Sequence, residues 1–167
     1  MSLVVLVGNP RAGSRTHRVA IEAAHALARR LDRPGPDETV DLAAIADQIH
    51  APEPSTDLDR ALKVVAGADL LVVASPTYKG TYTGLLKAFL DLLPSGALSS
   101  TVALPLLVMG DPRHALAVEV HLRPLLVELG AHVPTPGLAV LESELPLLDE
   151  VLGPWADRTA PQAEVRA

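Results

Sequence analysis

The chain has 167 residues, 49% of them hydrophobic and 20% charged, with a formal net charge of −6. That balance supports one sizeable core and excludes the basic surface a nucleic acid would need. With no cysteine, disulfides, thiolate metal sites and cysteine nucleophiles are excluded as well.

In chain order, Leu3–Val7 is a short apolar run ending at Gly8, the pattern of a parallel strand buried on both faces. It is too short to span a membrane and lacks a leader's basic flank and cleavage site, so a cytoplasmic, soluble protein is expected. Residues 16–31 follow a helical period, broken by Arg33-Pro-Gly-Pro-Asp37. Glu38–Leu42 reads as a weak strand near a sheet edge. Ala51–Ser55, with two prolines, reads as a loop. A helix is expected over Asp57–Ala66 and a buried strand over Ala68–Ala74.

Ser75–Thr83 is rich in turn formers, and Gly84–Leu93 is helical up to Pro94. That helix carries more apolar residues than one narrow face needs, so part of it is expected to meet a second subunit. A fourth strand is expected over Thr101–Val108, with a bulge at Pro105. A helix follows over Ala115–Leu129, kinked at Pro124. A fifth strand lies within Ala131–Leu141, interrupted by Pro134 and Pro136, and a last helix covers Leu145–Leu152. One domain is expected over 1–157, with an unstructured tail over 158–167.

Five strands alternating with helices predict an α/β fold, a doubly wound five-stranded parallel sheet with helices on both faces. Ligands of such sheets sit beyond the carboxyl ends of the strands, where the strand order reverses. The first loop to inspect is Gly8-Asn-Pro-Arg-Ala-Gly-Ser-Arg-Thr16. It opens a helix, whose free N–H groups and dipole attract anions. Asn9, Ser14 and Thr16 add polar groups, and Arg11 and Arg15 add charge. This inventory suits a phosphate monoester. Ser14 or Thr16 as a mere helix cap is the simpler alternative.

Neither the Walker loop nor the Gly-x-Gly-x-x-Gly fingerprint is present, which disfavours a Rossmann dinucleotide site. Asp41 could imitate a ribose-binding acid only if those glycines existed. The second loop, around Pro76, Thr77, Tyr78, Lys79 and Gly80, can lay stiffened backbone against a planar ring. Tyr78 is open to packing or to ring contact, whereas Tyr82 and Phe89 read as core or interface. The six histidines show no metal-binding spacing. Ser75 lacks a nucleophile elbow, and Lys87 with Asp91 reads as a surface pair.

The stretches GNPRAGSRT, ASPTYKGTYTGLLKAFLDLLP and HALAVEVHLRPLLVELGA resemble the NADPH-dependent FMN reductase family. Within it they look like the flavin reductases of two-component sulfonate monooxygenase systems. The resemblance runs from residue 3 to about residue 141. It implies a flavodoxin-like sheet of order 2-1-3-4-5, FMN as cofactor and NADPH or NADH as co-substrate. Asn9, Arg11, Ser14 and Thr16 match the phosphate positions, with Asn9 where serine is common. Pro76 to Lys79 match the segment along the isoalloxazine.

Gly110, with Asp111 beside it, falls in the loop bordering the pyrimidine side, and His114 matches a histidine frequent at the next helix start. That loop usually reads Thr-Gly-Gly, where this chain has Val108-Met109-Gly110. Some relatives carry Tyr or His at the position of Val120; the neighbouring His121 is about 100° around the helix and does not inherit the role. The family implies a homodimer or homotetramer and reduced flavin passed to a partner monooxygenase or another acceptor. The rival readings are an FMN-holding electron-transfer protein and a quinone or azo reductase with resident FMN. No certain catalytic side chain and no metal are expected.

Overall fold

Alternation along the strands sorts the apolar side chains into two cores. In the computed structural model, which describes residues 1–53 and 55–163, β1 (Leu3–Val7) is buried along its whole length. Leu3, Val5 and Val7 face one core, and Val4 and Leu6 face the other. The same period-two division runs through β3 (Leu70–Pro76) and β4 (Val102–Met109). With β2 (Glu38–Asp41) and β5 (Leu138–Leu141), the strands form one parallel sheet of order β2-β1-β3-β4-β5. This is the flavodoxin-like order, and the chain reverses direction between β1 and β3.

Helices α1 (Arg15–Arg30) and α5 (Leu148–Ala163) cover one face. On the other lie α2 (Thr56–Ala66), α3 (Gly84–Leu90) and the helical run ending in α4 (Arg123–Glu128). Side-chain caps start α1, α2 and α3: Ser14 accepts from His17 N, Ser55 from Leu58 N and Thr83 from Leu86 N.

Several sequence expectations need correction. Pro105 makes no bulge: β3 and β4 pair in unbroken register from Leu70–Val102 to Pro76–Val108. In a parallel strand alternate N–H groups point to the same side. Ala103 N donates to His132 O, so the donor that Pro105 lacks faces the same neighbour. There the chain has left the sheet: only a bridge at His132 precedes β5, which starts at Leu138. The expected strand over 131–141 is therefore four residues long, and Pro134-Thr135-Pro136-Gly137 forms a detour beside Pro105.

Just before the expected Pro124 kink lies a π-helical turn over Val118–Leu122, where Arg123 N bonds Val118 O five residues back. Pro124 has no N–H for the carbonyl of Val120, and the widened turn takes up that mismatch. The chain from Arg158 is not a loose tail: α5 continues through Ala163, burying Thr159, Ala160 and Ala163. Residues 164–167 of the expected tail lie outside the described residues, as does Pro54 of the expected loop. Finally, α3 and the turn after it bury Leu86, Phe89, Leu90 and Leu93 in their own core. Of that segment only Leu92, in the turn after α3, is an exposed large apolar side chain; others stand on the helical run at Leu116, Val120 and Val127.

Candidate functional site

Three chain segments are sewn together where β1 and β3 end. Gly8 N donates to Ala74 O at 2.7 Å. The Thr83 hydroxyl donates to Gly8 O at 2.5 Å, and Thr83 N donates to Ser75 Oγ at 3.0 Å. α3 presses so close that a Cβ on Gly8 would stand 2.6 Å from the Leu86 Cβ. Glycine is required there by proximity rather than by dihedral angle.

The first loop is braced from within. The buried Asn9 accepts from Arg11 N through Oδ1 at 2.9 Å and donates through Nδ2 to Thr16 Oγ1 at 3.1 Å. Because Thr16 accepts there, its own hydrogen is free to point elsewhere. Ser14 Oγ accepts from His17 N at 3.1 Å and likewise keeps its proton for a ligand. The N–H groups of Arg15 and Thr16, in the first turn of α1, have no intrahelical acceptor. That turn holds no acid, although a carboxylate would complement the helix dipole. Every one of these features favours an anion.

Asn9, Arg11, Ser14, Arg15, Thr16, Pro76 and Tyr78 line one cleft of about 400 Å³. Sequence reasoning missed Glu142, which closes this cleft by pairing with Arg15 at 2.6 Å. Its signal was its place just past the carboxyl end of β5. Asp41 is spent as a cap, accepting from Ala43 N at 3.1 Å.

Thr77, Lys79, Gly80, Gly110 and Asp111 stand beside the cleft, in the loops after β3 and β4. Thr77 N donates to Val108 O at 2.8 Å, tying the two loops together. Tyr78 and Thr81 exchange backbone hydrogen bonds around Lys79 and Gly80, whose φ angles are 52° and 84°. Two central residues at positive φ make a type I′ turn. Asp111 caps the 3₁₀ turn Pro112–His114 and pairs with Arg113 at 2.6 Å. The Arg113 side-chain and backbone donors hold its carboxyl down at about 2. Met109, the departure from the family pattern, is buried in the core beneath α3, clear of the loop.

The residues present fit a flavin phosphate and its ring. Thr77 Oγ1 is buried without a hydrogen-bond partner among the described residues, beside the mouth where a heterocycle edge would lie. Apart from Gly110's own chain neighbours, no described residue stands within 4 Å of the place its Cβ would occupy.

The family model for NADPH-dependent FMN reductase matches residues 1–144. The chain belongs to this family. It is similar to "FMN reductase (NADPH)" of Escherichia coli K12, 35% identical over 87% of this chain and 75% of that one. It is also similar to "NADH-dependent FMN reductase SfnF" of Pseudomonas putida, 34% identical over 81% of this chain and 75% of that one. The solved apo form of NADH:FMN oxidoreductase (EMOB) superposes with a TM-score of 0.83 at 31% identity, covering 96% of this chain and 89% of that one. As an FMN reductase, the chain is an NAD(P)H-dependent oxidoreductase whose cofactor is FMN. No helix among its described residues is long and apolar enough to cross a membrane, and no His, Asp or Glu residues among them cluster as a metal site.

Proposed function

We propose that this FMN reductase holds its flavin phosphate in the Asn9–Thr16 loop and lays the ring against Pro76–Gly80 and the Gly110–Asp111 loop. One observation carries this placement: a single cleft is walled by the anion-seeking end of α1 on one side and by Pro76 and Tyr78 on the other. FMN, when bound, supplies the hydride-accepting ring, and the reduced nicotinamide supplies the hydride.

The chain's own part is positioning. Arg11, the Ser14 and Thr16 hydroxyls and the first-turn N–H groups anchor the phosphate, and the I′ turn stiffens the wall beside the ring. None of the carboxylates in these loops is set up as an acid or base. Glu142 is paired with Arg15, and Asp111 stays ionised beside Arg113.

Lys79 offers a cation either to the flavin pyrimidine or to a nicotinamide phosphate. The relatives include NADPH- and NADH-named enzymes, so both co-substrates belong in the reading. The acceptor of the reduced flavin is a partner monooxygenase or another acceptor, on the strength of the sequence resemblance. The assembly is a homo-oligomer, supported by the exposed Leu116, Val120 and Val127 on one helical run.

The test is the visible spectrum of the purified chain with FMN, then with NADPH or NADH under anaerobic conditions. Bleaching of the oxidised-flavin bands by either nicotinamide is expected. An FMN spectrum that neither nicotinamide bleaches would leave an electron carrier instead. Light scattering that gives a monomer mass would remove the assembly.

A further inference from the structure

A second cavity lies at the opposite edge of the sheet from the flavin loops. Its wall includes Leu138, the first residue of β5, and the detour Pro134–Gly137 that leads into it. α5 runs back along the sheet, bringing Trp155, Arg158, Thr159 and Gln162 to the same place. The cavity holds about 390 Å³, within the range of small-molecule sites.

Two observations point to a ligand. Four side-chain polar atoms among the described residues are buried without a hydrogen-bond partner, and two of them, Thr135 Oγ1 and Thr159 Oγ1, belong to residues lining this cavity. Both threonines are more than nine-tenths buried. A buried hydroxyl left unpaired is unfavourable, and such groups in native proteins regularly mark a missing partner. The second observation is charge. In a chain of net charge −6, no carboxylate among the described residues lines this cavity. The one charged residue among them there, Arg158, has no ion-pair partner among the described residues.

One wall of the cavity is held in place from outside. The Arg123 guanidinium donates to Val133 O at 2.7 Å and to Thr135 O, and Glu119 accepts from Gly137 N. The backbone polar groups of the detour are thus satisfied from the α4 side, which fixes the strap. Trp155 and Leu138 supply an apolar wall.

We propose that this cavity binds a small organic monoacid, its apolar body against Trp155 and its carboxylate on Arg158, with the buried hydroxyls of Thr135 and Thr159 turning to meet it. A guanidinium with two hydroxyl donors is a complete set for one carboxylate. The site is separate from the flavin cleft, so occupancy does not require FMN to leave.

Trp155 is the chain's one tryptophan, so its indole N–H gives a single reporter resonance. In the FMN-loaded protein, hexanoate and cyclohexanecarboxylate are titrated against that resonance, with hexan-1-ol as the neutral control. The acids are expected to shift it saturably, with a dissociation constant of about 1 mM or tighter, and the alcohol is not. Arg158→Gln, an exposed position, is expected to weaken hexanoate about tenfold or more and to leave FMN binding unchanged.

Thr159→Val is expected to weaken hexanoate while raising Tm, because it deletes a buried hydroxyl that has no partner. The proposal is overturned by no saturable shift with either acid, by an equal response to the alcohol, by unchanged hexanoate affinity in Arg158→Gln, or by a lower Tm in Thr159→Val.

Discussion

Lys79 occupies a backbone conformation that lysine disfavours. Its φ of 52° precedes Gly80 at 84°, and the left-handed region costs an ordinary L-residue about 1–2 kcal/mol. Asparagine tolerates that region and is the preferred partner of glycine in a I′ turn. Lys79→Asn should therefore recover about half of that cost, on the order of 0.5–1 kcal/mol. A chain of this size gains about 2–4 °C in Tm per kcal/mol, so a rise of about 1–4 °C is expected.

Lys79→Gly should change Tm little. It relieves about 1 kcal/mol of strain but returns about 0.5–1 kcal/mol through the freer unfolded chain. Lys79→Val, β-branched at positive φ, should lower Tm. Thermal unfolding by circular dichroism reads all three. An unchanged or lower Tm in Lys79→Asn, with Lys79→Val equal to the parent, would refute the turn. The same variants separate charge from shape. Lys79→Asn keeps the turn and removes the cation, so a nicotinamide-phosphate contact appears as a raised KM for NADPH with NADH unchanged. A pyrimidine contact appears instead as a lowered flavin reduction potential with both KM values intact.

Arg11→Ala should weaken FMN but not riboflavin, by up to about 1.5–3 kcal/mol and nearer the lower figure because the side chain is exposed; equal losses in a fluorescence titration would remove Arg11 from the phosphate site. Glu119 has its carboxyl held below the ordinary range by Arg123 first, with Gly137 N adding to the effect. Its stabilisation is therefore present above about pH 4.3 and fades as pH falls through the lowered value. Glu119→Gln should lose about 1–2 kcal/mol in urea at neutral pH, discounted for its partial exposure, and the gap to the parent should narrow in acid. With Asp111 ionised down to about 2 and only positioning asked of the site's side chains, kcat should stay flat from about pH 6 to 8.5. A tenfold swing with a single ionisation would reveal an acid or base not identified here.

The parallel strands and the two polar loops that wall the cleft were legible because their signals are local. Val- and Leu-rich runs end at glycine or serine, and the hydroxyls and arginines crowd a helix start. What escaped is tertiary. No local rule says that Asn9 spends both ends of its amide inside its own loop, since Thr16 and Arg11 become its partners only once α1 turns. Glu142 lies far along the chain from Arg15 and meets it across the sheet edge. Periodicity also cannot tell which side chains of the Leu85–Leu93 surplus the chain's own core claims: Leu93, beyond the end of α3, folds inward, while Leu92 stays exposed. The segment from Arg158 contains Pro161 and polar residues, which read as a tail, yet α5 tolerates the proline while Thr159, Ala160 and Ala163 bury themselves.

The two outermost strands, β2 and β5, are each four residues long, and the detour opposite Pro105 is what shortens β5. A strand that brief offers a poor template for another chain to add itself, and β2 further carries Glu38 and Asp41 at its two ends. Copies of this protein are thereby discouraged from growing one continuous sheet across molecules. Contact between them is left to helix surfaces, where side chains rather than backbone choose the partner. If copies associate as proposed, a few point substitutions on Leu116, Val120 and Val127 would tune the contact without touching the ladder that carries the cleft loops.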